Sequence, residues 1–287
     1  MNLTGWLIYR REDAKSNKAY INWFIREAKK KFISLQLVYR DELIVGIQKQ
    51  KKVIYHKNYE TPLPDFAVIR TIEPILQLHF EACNIRVFNS YEVASICNNK
   101  AYTYHELNKL NIPMVDTIYY KLDKHFEYLP LDFPFIAKQA NGRSGNEVYL
   151  INNEIEWKRC LQNNPYEDWV IQNCSVRKGV DIRVFVIGKE IIGAVQRKNK
   201  HDFRANFSLG GTATWYTLQE KEIEIVQKIV NHFHFDYVGI DFLVGLNGQL
   251  LFNEIEDVVG SRTLSLVSNI NILEKYVAHI INEMEKR

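Results

Sequence analysis

The sequence predicts an α/β protein with α+β subdomains, on three observations. Short apolar runs alternate with amphipathic stretches along the chain, Pro and Gly punctuate the junctions, and 287 residues suffice to bury a substantial core divided over two or three subdomains. Residues 5–9 and 33–39 read as strands around an amphipathic helix near 18–31, and FAVIR at 66–70 reads as a strand after Pro62 and Pro64. A helix through PILQLHFEAC, a short strand IRVFN and a helix capped by Ser90 complete a first unit that ends near Asn98.

A second unit begins with the helix NKAYTYHELNKL, ended by Asn111 and Pro113, and continues with strands near 115–119 and 134–138. FPFIAKQANGRSGNEVYLI then has the form of strand, glycine-bearing loop and strand, followed by a helix near 153–163 and a strand at WVIQ. The third unit holds the strands DIRVFVIG and EIIGAVQRK, a polar loop to Gly211, a helix from about 219 to 234, a hairpin, and a closing helix near 271–285. There is no internal repeat and no low-complexity segment.

With 46% hydrophobic and 25% charged residues the composition is that of an ordinary soluble globular protein. No apolar run approaches the roughly 20 residues that span a bilayer, and MNLTGWLIYRRED lacks the features of a signal peptide, so the expected location is the cytoplasm, away from membranes. A formal charge of +3 is too little to argue for nucleic acid. The lysine runs at 29–31 and 49–52 lack interleaved aromatics and read as solvated faces, with a docking site for an acidic partner as the alternative. Cys83, Cys97, Cys160 and Cys174 are scattered without zinc-like spacing and are expected to be reduced, buried thiols.

The chemistry concentrates late in the chain. Asp241 in VGIDFLV is followed by a Gly turn and by Glu254, Glu256 and Asp257 in LFNEIED. Alternate residues of a strand share a face, so Glu254 and Glu256 point one way, where Asp241 of the neighbouring strand can join them. Hard oxygen ligands gathered like this suit Mg2+. A solvated acidic edge is the alternative, but the apolar flanks LVGLNGQLLF place these acids at the end of a core strand.

Lys138 ends an apolar strand just before Asn141-Gly142-Arg143-Ser144-Gly145, a loop whose glycines let backbone N–H groups approach an anion. No Gly-Lys-Ser/Thr follows, so this is no Walker A loop, and a simple hairpin turn fits it as well. A lysine on a buried strand needs a compensating anion. Lys100 opens a helix after Asn98-Asn99, where free N–H groups favour phosphate, or lies at the surface. Asp181 and Arg183 share a strand face, with Arg197 on the adjacent strand, and they form either an exposed cross-strand ion pair or part of a site. Arg204 and Asn206 in HDFRANFSLGG bring further donors to the same end of the sheet.

Taken in order, AVIRTIEP, FNSYEVASICNNK, FPFIAKQANGRSGNEV, WVIQNC, VDIRVFVIG, AVQRKNKHDFRANFSLGG, VGIDFLV and FNEIED resemble the ATP-grasp ligases, in their RimK-type and glutathione-synthetase-like branch. The resemblance covers most of the chain and is loosest over the first 95 residues. It implies an ATP-grasp fold with an N-terminal pre-ATP-grasp α/β domain over 1–97, a small subdomain with the glycine loop over 98–175, and a C-terminal subdomain with the metal site over 176–287.

The resemblance also implies residue roles. Lys100 and Lys138 correspond to two phosphate-contacting lysines, and Gly142, Arg143, Ser144 and Gly145 to the mobile loop over the phosphates. Gln172, Asn173 and Cys174 fall among the nucleotide-binding residues, the last two where a hinge presents backbone groups to adenine, and Asp181 helps bind the nucleotide. Arg183 and Arg197 are the catalytic pair flanking the γ-phosphate and acyl-phosphate, Arg204 and Asn206 match an R-x-N loop at the nucleotide or substrate, and Asp241, Glu254 and Glu256 match the metal ligands. The departures are Asn173, where the family commonly has Glu; E-x-E in place of E-x-N; and Asp257 with VVGSR after it. Ser261 and Arg262 there either read an acidic substrate group or cap a helix.

The implied cofactors are ATP and Mg2+, with Mn2+ able to replace the latter. The implied reaction phosphorylates a carboxylate to an acyl-phosphate, which an amine attacks to give an amide or peptide bond. Its partners are an amino acid, peptide or protein tail carrying the carboxylate, plus an amine co-substrate. The pockets for them fall to the N-terminal domain and the loops near 199–212 and 257–264. A kinase of the same fold would share the nucleotide site, and a nucleotide-dependent binding protein is a third reading, for which the full metal set serves no purpose. Dimers and tetramers are both allowed.

Overall fold

The computed structural model describes residues 3–121, 131–142, 147–165, 167–205 and 210–286. The chain opens with β1 (Thr4–Tyr9), α1 (Arg11–Ser16), α2 (Lys18–Lys30) and β2 (Ser34–Tyr39), then β3 (Leu43–Gln48), β4 (Lys51–His56), β5 (Tyr59–Glu60), β6 (Phe66–Ile69), α3 (Pro74–Ala82), β7 (Arg86–Phe88) and α4 (Tyr91–Cys97). Strands β2, β1, β6 and β7 form a parallel sheet in that order. All four residues of β6 are buried, as expected of a parallel strand covered on both faces. The single helix expected near 18–31 is preceded by a separate one, because the backbone leaves helical geometry at Asn17, whose side chain donates to the Asp13 carbonyl at 2.8 Å. Ser90 caps α4 as expected, its Oγ accepting from the Val93 N–H.

Strands β3, β4 and β5 add a small antiparallel sheet that the sequence reading passed over. Its first turn runs through Lys49 and Gln50, both at positive φ of 47° and 63°. Hairpin turns of this kind normally announce themselves with Asn-Gly or Asp-Gly, and here neither is present. The lysines of both basic runs are exposed.

The chain continues through α5 (Lys100–Asn108), β8 (Thr117–Lys121), β9 (Phe135–Gln139), β10 (Val148–Ile151), α6 (Glu154–Asn163) and β11 (Asp168–Asn173). These strands make an antiparallel sheet in the order β10-β9-β11-β8 over a small core that includes Phe135, Trp157 and Trp169. Next come β12 (Val176–Ile187), β13 (Glu190–Lys198), β14 (Thr212–Tyr216), α7 (Glu220–His232), β15 (Tyr237–Gly245), β16 (Leu250–Glu256), α8 (Arg262–Val267) and α9 (Ile272–Glu285). Their five-stranded antiparallel sheet runs β14-β13-β12-β15-β16. The edge strand β14 lies between the loop ending at Gly211 and the helix expected from about 219, a stretch to which the sequence assigns no element; its Thr-Ala-Thr run and half-exposed pattern give little apolar signal.

The five-stranded sheet is buried on both faces. One face, with α7, packs Val184, Val226, Ile240 and Phe252 together with Tyr104 and Leu107 of α5. The other joins the N-terminal sheet in one core, where Leu7 and Phe24 cluster with Phe185 and Tyr276. Asn89 of FNSYEV fastens this junction: its amide donates to the Tyr237 and Asp257 carbonyls and its Oδ1 accepts from Asp236 and Tyr237 N–H. Among the described residues no helix is long and apolar enough to cross a membrane. Cys97 and Cys160 are buried, but Cys83 and Cys174 are only half-buried because each closes an element near the surface.

Candidate functional site

The floor of the site is a layer of ionised side chains on β12, β13, β15 and β16. Register sets it: Asp181 pairs with Arg197, Arg183 with Asp241, and Asp241 with Glu254. Arg183 grips Asp241 through Nε at 2.7 Å and Nη2 at 2.6 Å, and its Nη2 also reaches Glu256 at 2.6 Å. Arg197 holds Asp181 by two bonds of 2.6 Å and adds one to Asp241 at 2.7 Å. This excludes the exposed ion pair allowed by the sequence, since Asp181, Arg183, Arg197 and Asp241 are all buried. Gly239 makes room for the layer: a Cβ there would lie 2.7 Å from Val259 Cγ2 and 3.5 Å from Arg183 Cδ.

Three acids share two guanidiniums, and their pKa shifts follow from that sharing. Burial pushes the Asp241 carboxyl up, but Arg183 and Arg197 together outweigh it and hold it below its ordinary value. Asp181 and Glu256 each touch one arginine; there burial prevails and both are raised. Burial also opposes the charge on Arg183 and Arg197, and the carboxylates keep both firmly protonated.

Lys138, on the central strand β9 of the small sheet, is 7% exposed, and its Nζ donates to Asn253 Oδ1 at 2.7 Å. Burial lowers its pKa to about 8, with Glu254 opposing the shift and Lys100 adding to it. The sequence reading missed Asn253. Asp241 pairs with Glu254 and Phe242 with Phe252, so Asn253 is the extra residue of a β-bulge, and a bulge re-aims its side chain. Tyr104 Oη donates to its carbonyl.

Lys100 and Lys138 line one cavity with Glu254, Asn253, Gly142 and, at the end of β11, Gln172, Asn173 and Cys174. The Lys100 ammonium donates to the Gly142 carbonyl and stands 4.0 Å from Glu254. The helix-start N–H groups expected to face phosphate are partly spent: that of Lys100 donates to the Ala140 carbonyl and that of Tyr102 to Asn99 Oδ1. The Gly142 N–H is likewise taken by the Gln139 carbonyl. Lys100 therefore reaches the cavity by its side chain. Arg143, Ser144, Gly145 and Asn206 lie outside the described residues.

At the end of β11, Gln172 is buried and donates to Thr117 Oγ1, while Asn173 donates to Asp116 and accepts from the Ser175 N–H. Asp181 and Arg204 also line this cavity, and Arg204 is bound to Asp202 at 2.7 Å. Gly179, at φ 67°, lets the loop carrying Arg204 lie against β12, since a Cβ there would meet the Asn199 carbonyl oxygen at 2.3 Å. Arg177 and Lys178, exposed at the rim, are further cations that the sequence reading left unassigned.

One ligand oxygen from each of Asp241, Glu254 and Glu256 lies within 4.8 Å of the others. A carboxylate offers about four lone-pair sites. Asp241 spends three on arginine N–H groups and retains one, Glu256 spends one, and Glu254 accepts no hydrogen bond among the described residues. The donor set is all oxygen, and it fits Mg2+.

A second cavity, of about 500 Å3, is lined by Arg183, Arg197 and Glu256 together with Tyr20 and Arg70 of the N-terminal region and Ser261 to Thr263. Ser261 makes no side-chain cap to α8. The Asp181–Arg197 pair thus has one member at each cavity.

The chain is similar in sequence and fold to known proteins. A model of the RimK-like ATP-grasp domain matches residues 98–280. The glutamate–LysW ligase ArgX of Sulfurisphaera tokodaii is 30% identical over 269 residues, which cover 86% of this chain and 95% of that protein. The RimK-domain ATP-grasp protein of Sphaerobacter thermophilus superposes with a TM-score of 0.74 at 12% identity, over 97% of this chain and 99% of its own. A RiPP-associated ATP-grasp ligase of Chryseobacterium gregarium, in complex with ADP and a leader and core peptide, does so with 0.68 at 16%, over 99% and 97%.

Proposed function

Because the chain belongs to the RimK-like ATP-grasp family, we propose that it works in the cytoplasm as an ATP-dependent carboxylate–amine ligase on an amino acid or peptide, with ATP in the first cavity and the acid in the second. The observation that carries this placement is the charged layer, whose Asp181–Arg197 pair faces both cavities. We assign residues 1–97, 98–175 and 176–287 to the N-terminal domain, the small subdomain and the metal-bearing subdomain.

In this reading Lys138 and Lys100 neutralise phosphate charge from the small-sheet side, and the hinge at Asn173 and Cys174 receives adenine through its backbone. The γ-phosphoryl group passes to a carboxylate oxygen of the acid, ADP leaves, and the amine attacks the activated carbonyl, losing a proton as phosphate departs. Arg183 and Arg197 face the group in transfer as fixed positive charge already oriented by their carboxylates, so little reorganisation accompanies the reaction. Asp241, Glu254 and Glu256 would hold Mg2+, or Mn2+ in its place, which would supply further positive charge for phosphoryl transfer. No protein nucleophile is required, and positioning plus electrostatics carry the catalysis.

Incubation with Mg-ATP, hydroxylamine and a panel of amino acids and peptides tests the activity. A hydroxamate and equivalent ADP are expected for at least one acid; ADP release with a stable phosphorylated product and no hydroxamate would establish a kinase instead.

A further inference from the structure

Arg70, half-buried, differs from the buried arginines of the site. Arg183 and Arg197 are each held by carboxylates, but Arg70 has no acidic partner among the described residues. Its Nε donates to Tyr9 Oη at 3.2 Å and its Nη2 to the Val259 carbonyl at 2.9 Å, and its guanidinium carbon lies 5.2 Å from the Tyr20 ring centre. Neutral oxygens and ring faces orient such a cation but leave its charge uncompensated. The Nη1 group has no hydrogen bond among the described residues.

Two further groups of the same cavity lack hydrogen-bond partners among the described residues. The hydroxyls of Tyr20 and Thr263 are buried without a hydrogen bond, although both residues line it. Buried donors are normally satisfied, so a cluster of orphans around a cavity points to a missing acceptor. Arg262, exposed at the start of α8 and lining the same cavity, also has no acidic partner among the described residues.

We propose that the second cavity recognises an anionic group on the substrate other than the carboxylate to be activated, with Arg70 as its specificity-determining residue and the Tyr20 and Thr263 hydroxyls as neutral donors. The carboxylate to be activated has to meet the phosphoryl group beside Arg183, Arg197 and the metal acids. Arg70 belongs to a different wall: it follows β6 of the N-terminal sheet, does not line the nucleotide cavity, and is braced on Val259 beyond β16. An acid with anions at two points satisfies both walls, whereas a monocarboxylate leaves Arg70 unpaired.

This inference rests on the ligase reading only in naming the occupant a substrate, so its test uses binding rather than turnover. Calorimetry on the full chain compares succinate, glutarate and adipate with butyrate, valerate and hexanoate, matched in carbon number. At least one diacid is expected to bind wild type tenfold or more tightly than its monoacid. Arg70→Gln should bring that ratio within twofold while ADP affinity stays unchanged, Arg70→Lys should retain part of it, and Tyr20→Phe should lower it severalfold in a folded protein. Equal binding of every diacid and monoacid to wild type, or an undiminished preference in Arg70→Gln with only lowered stability, would overturn the proposal. Absence of hydroxamate in the activity assay would count against the ligase and leave this result standing.

Discussion

Lys138 stands beside Glu254 on the small sheet, the Arg183–Arg197 pair holds Asp181, Asp241 and Glu256 on the five-stranded sheet, and the two regions bear burial in opposite ways. The arginines are locked in bidentate contacts with carboxylates and keep their charge. Lys138 has a neutral amide as its nearest partner, and its pKa falls to about 8. One region is a scaffold already complete without ligand. The other is a desolvated cation, which the proposed function pairs with the phosphates.

The contrast is broken most severely by Asp241→Asn. Removing this charge leaves two buried guanidiniums short of their shared acceptor, and breaking a buried ion pair costs about 3–5 kcal/mol. Denaturant unfolding should show a loss of that size; an unchanged midpoint would mean that the layer does not act as a unit.

Lys138→Met sharpens the comparison, because it should abolish ATP binding while stabilising the protein without nucleotide. The lysine's pKa drops from 10.5 to about 8, a charge-burial cost of about 3 kcal/mol at 1.36 kcal/mol per unit. The lost donor to Asn253 returns about 1 kcal/mol of that, leaving a gain of about 2 kcal/mol. Between pH 8 and 10.5 the unfolded chain holds the extra proton, so wild-type stability rises with pH across this window, and the mutant's advantage, full below pH 8, fades by pH 10.5. A mutant no more stable at pH 7 would contradict this burial cost. Glu254→Gln should have the smallest effect on stability: with no hydrogen bond to lose, its unfolding midpoint should match wild type while magnesium-dependent ADP release falls on the order of 100-fold. Undiminished turnover would remove Glu254 from the metal set.

Legibility followed the range of the interactions. The acidic trio was readable because strand alternation and one short hairpin suffice to bring Asp241, Glu254 and Glu256 together. Asn253 was not, since nothing local announces a bulge. The β3–β4 hairpin was hidden because its turn residues, Lys49 and Gln50, lack the usual chemistry. Arg70 was passed over for a different reason: it is one cation at the end of a buried strand, and its want of an anion depends on the loop after β16 and on Tyr20 of α2.

By itself the sequence determined the α/β class, the family, and the side chains that meet within one sheet, because period-2 strands and short turns encode those contacts locally. Only the tertiary structure decided that the Asp181–Arg197 pair is buried, that Lys138 reaches across to a bulge on another sheet, and that a second cavity beside the charged layer is lined by Arg70, without an acidic partner among the described residues. Those outcomes depend on how separate sheets pack. Burial turns an ordinary surface charge into one that needs a partner.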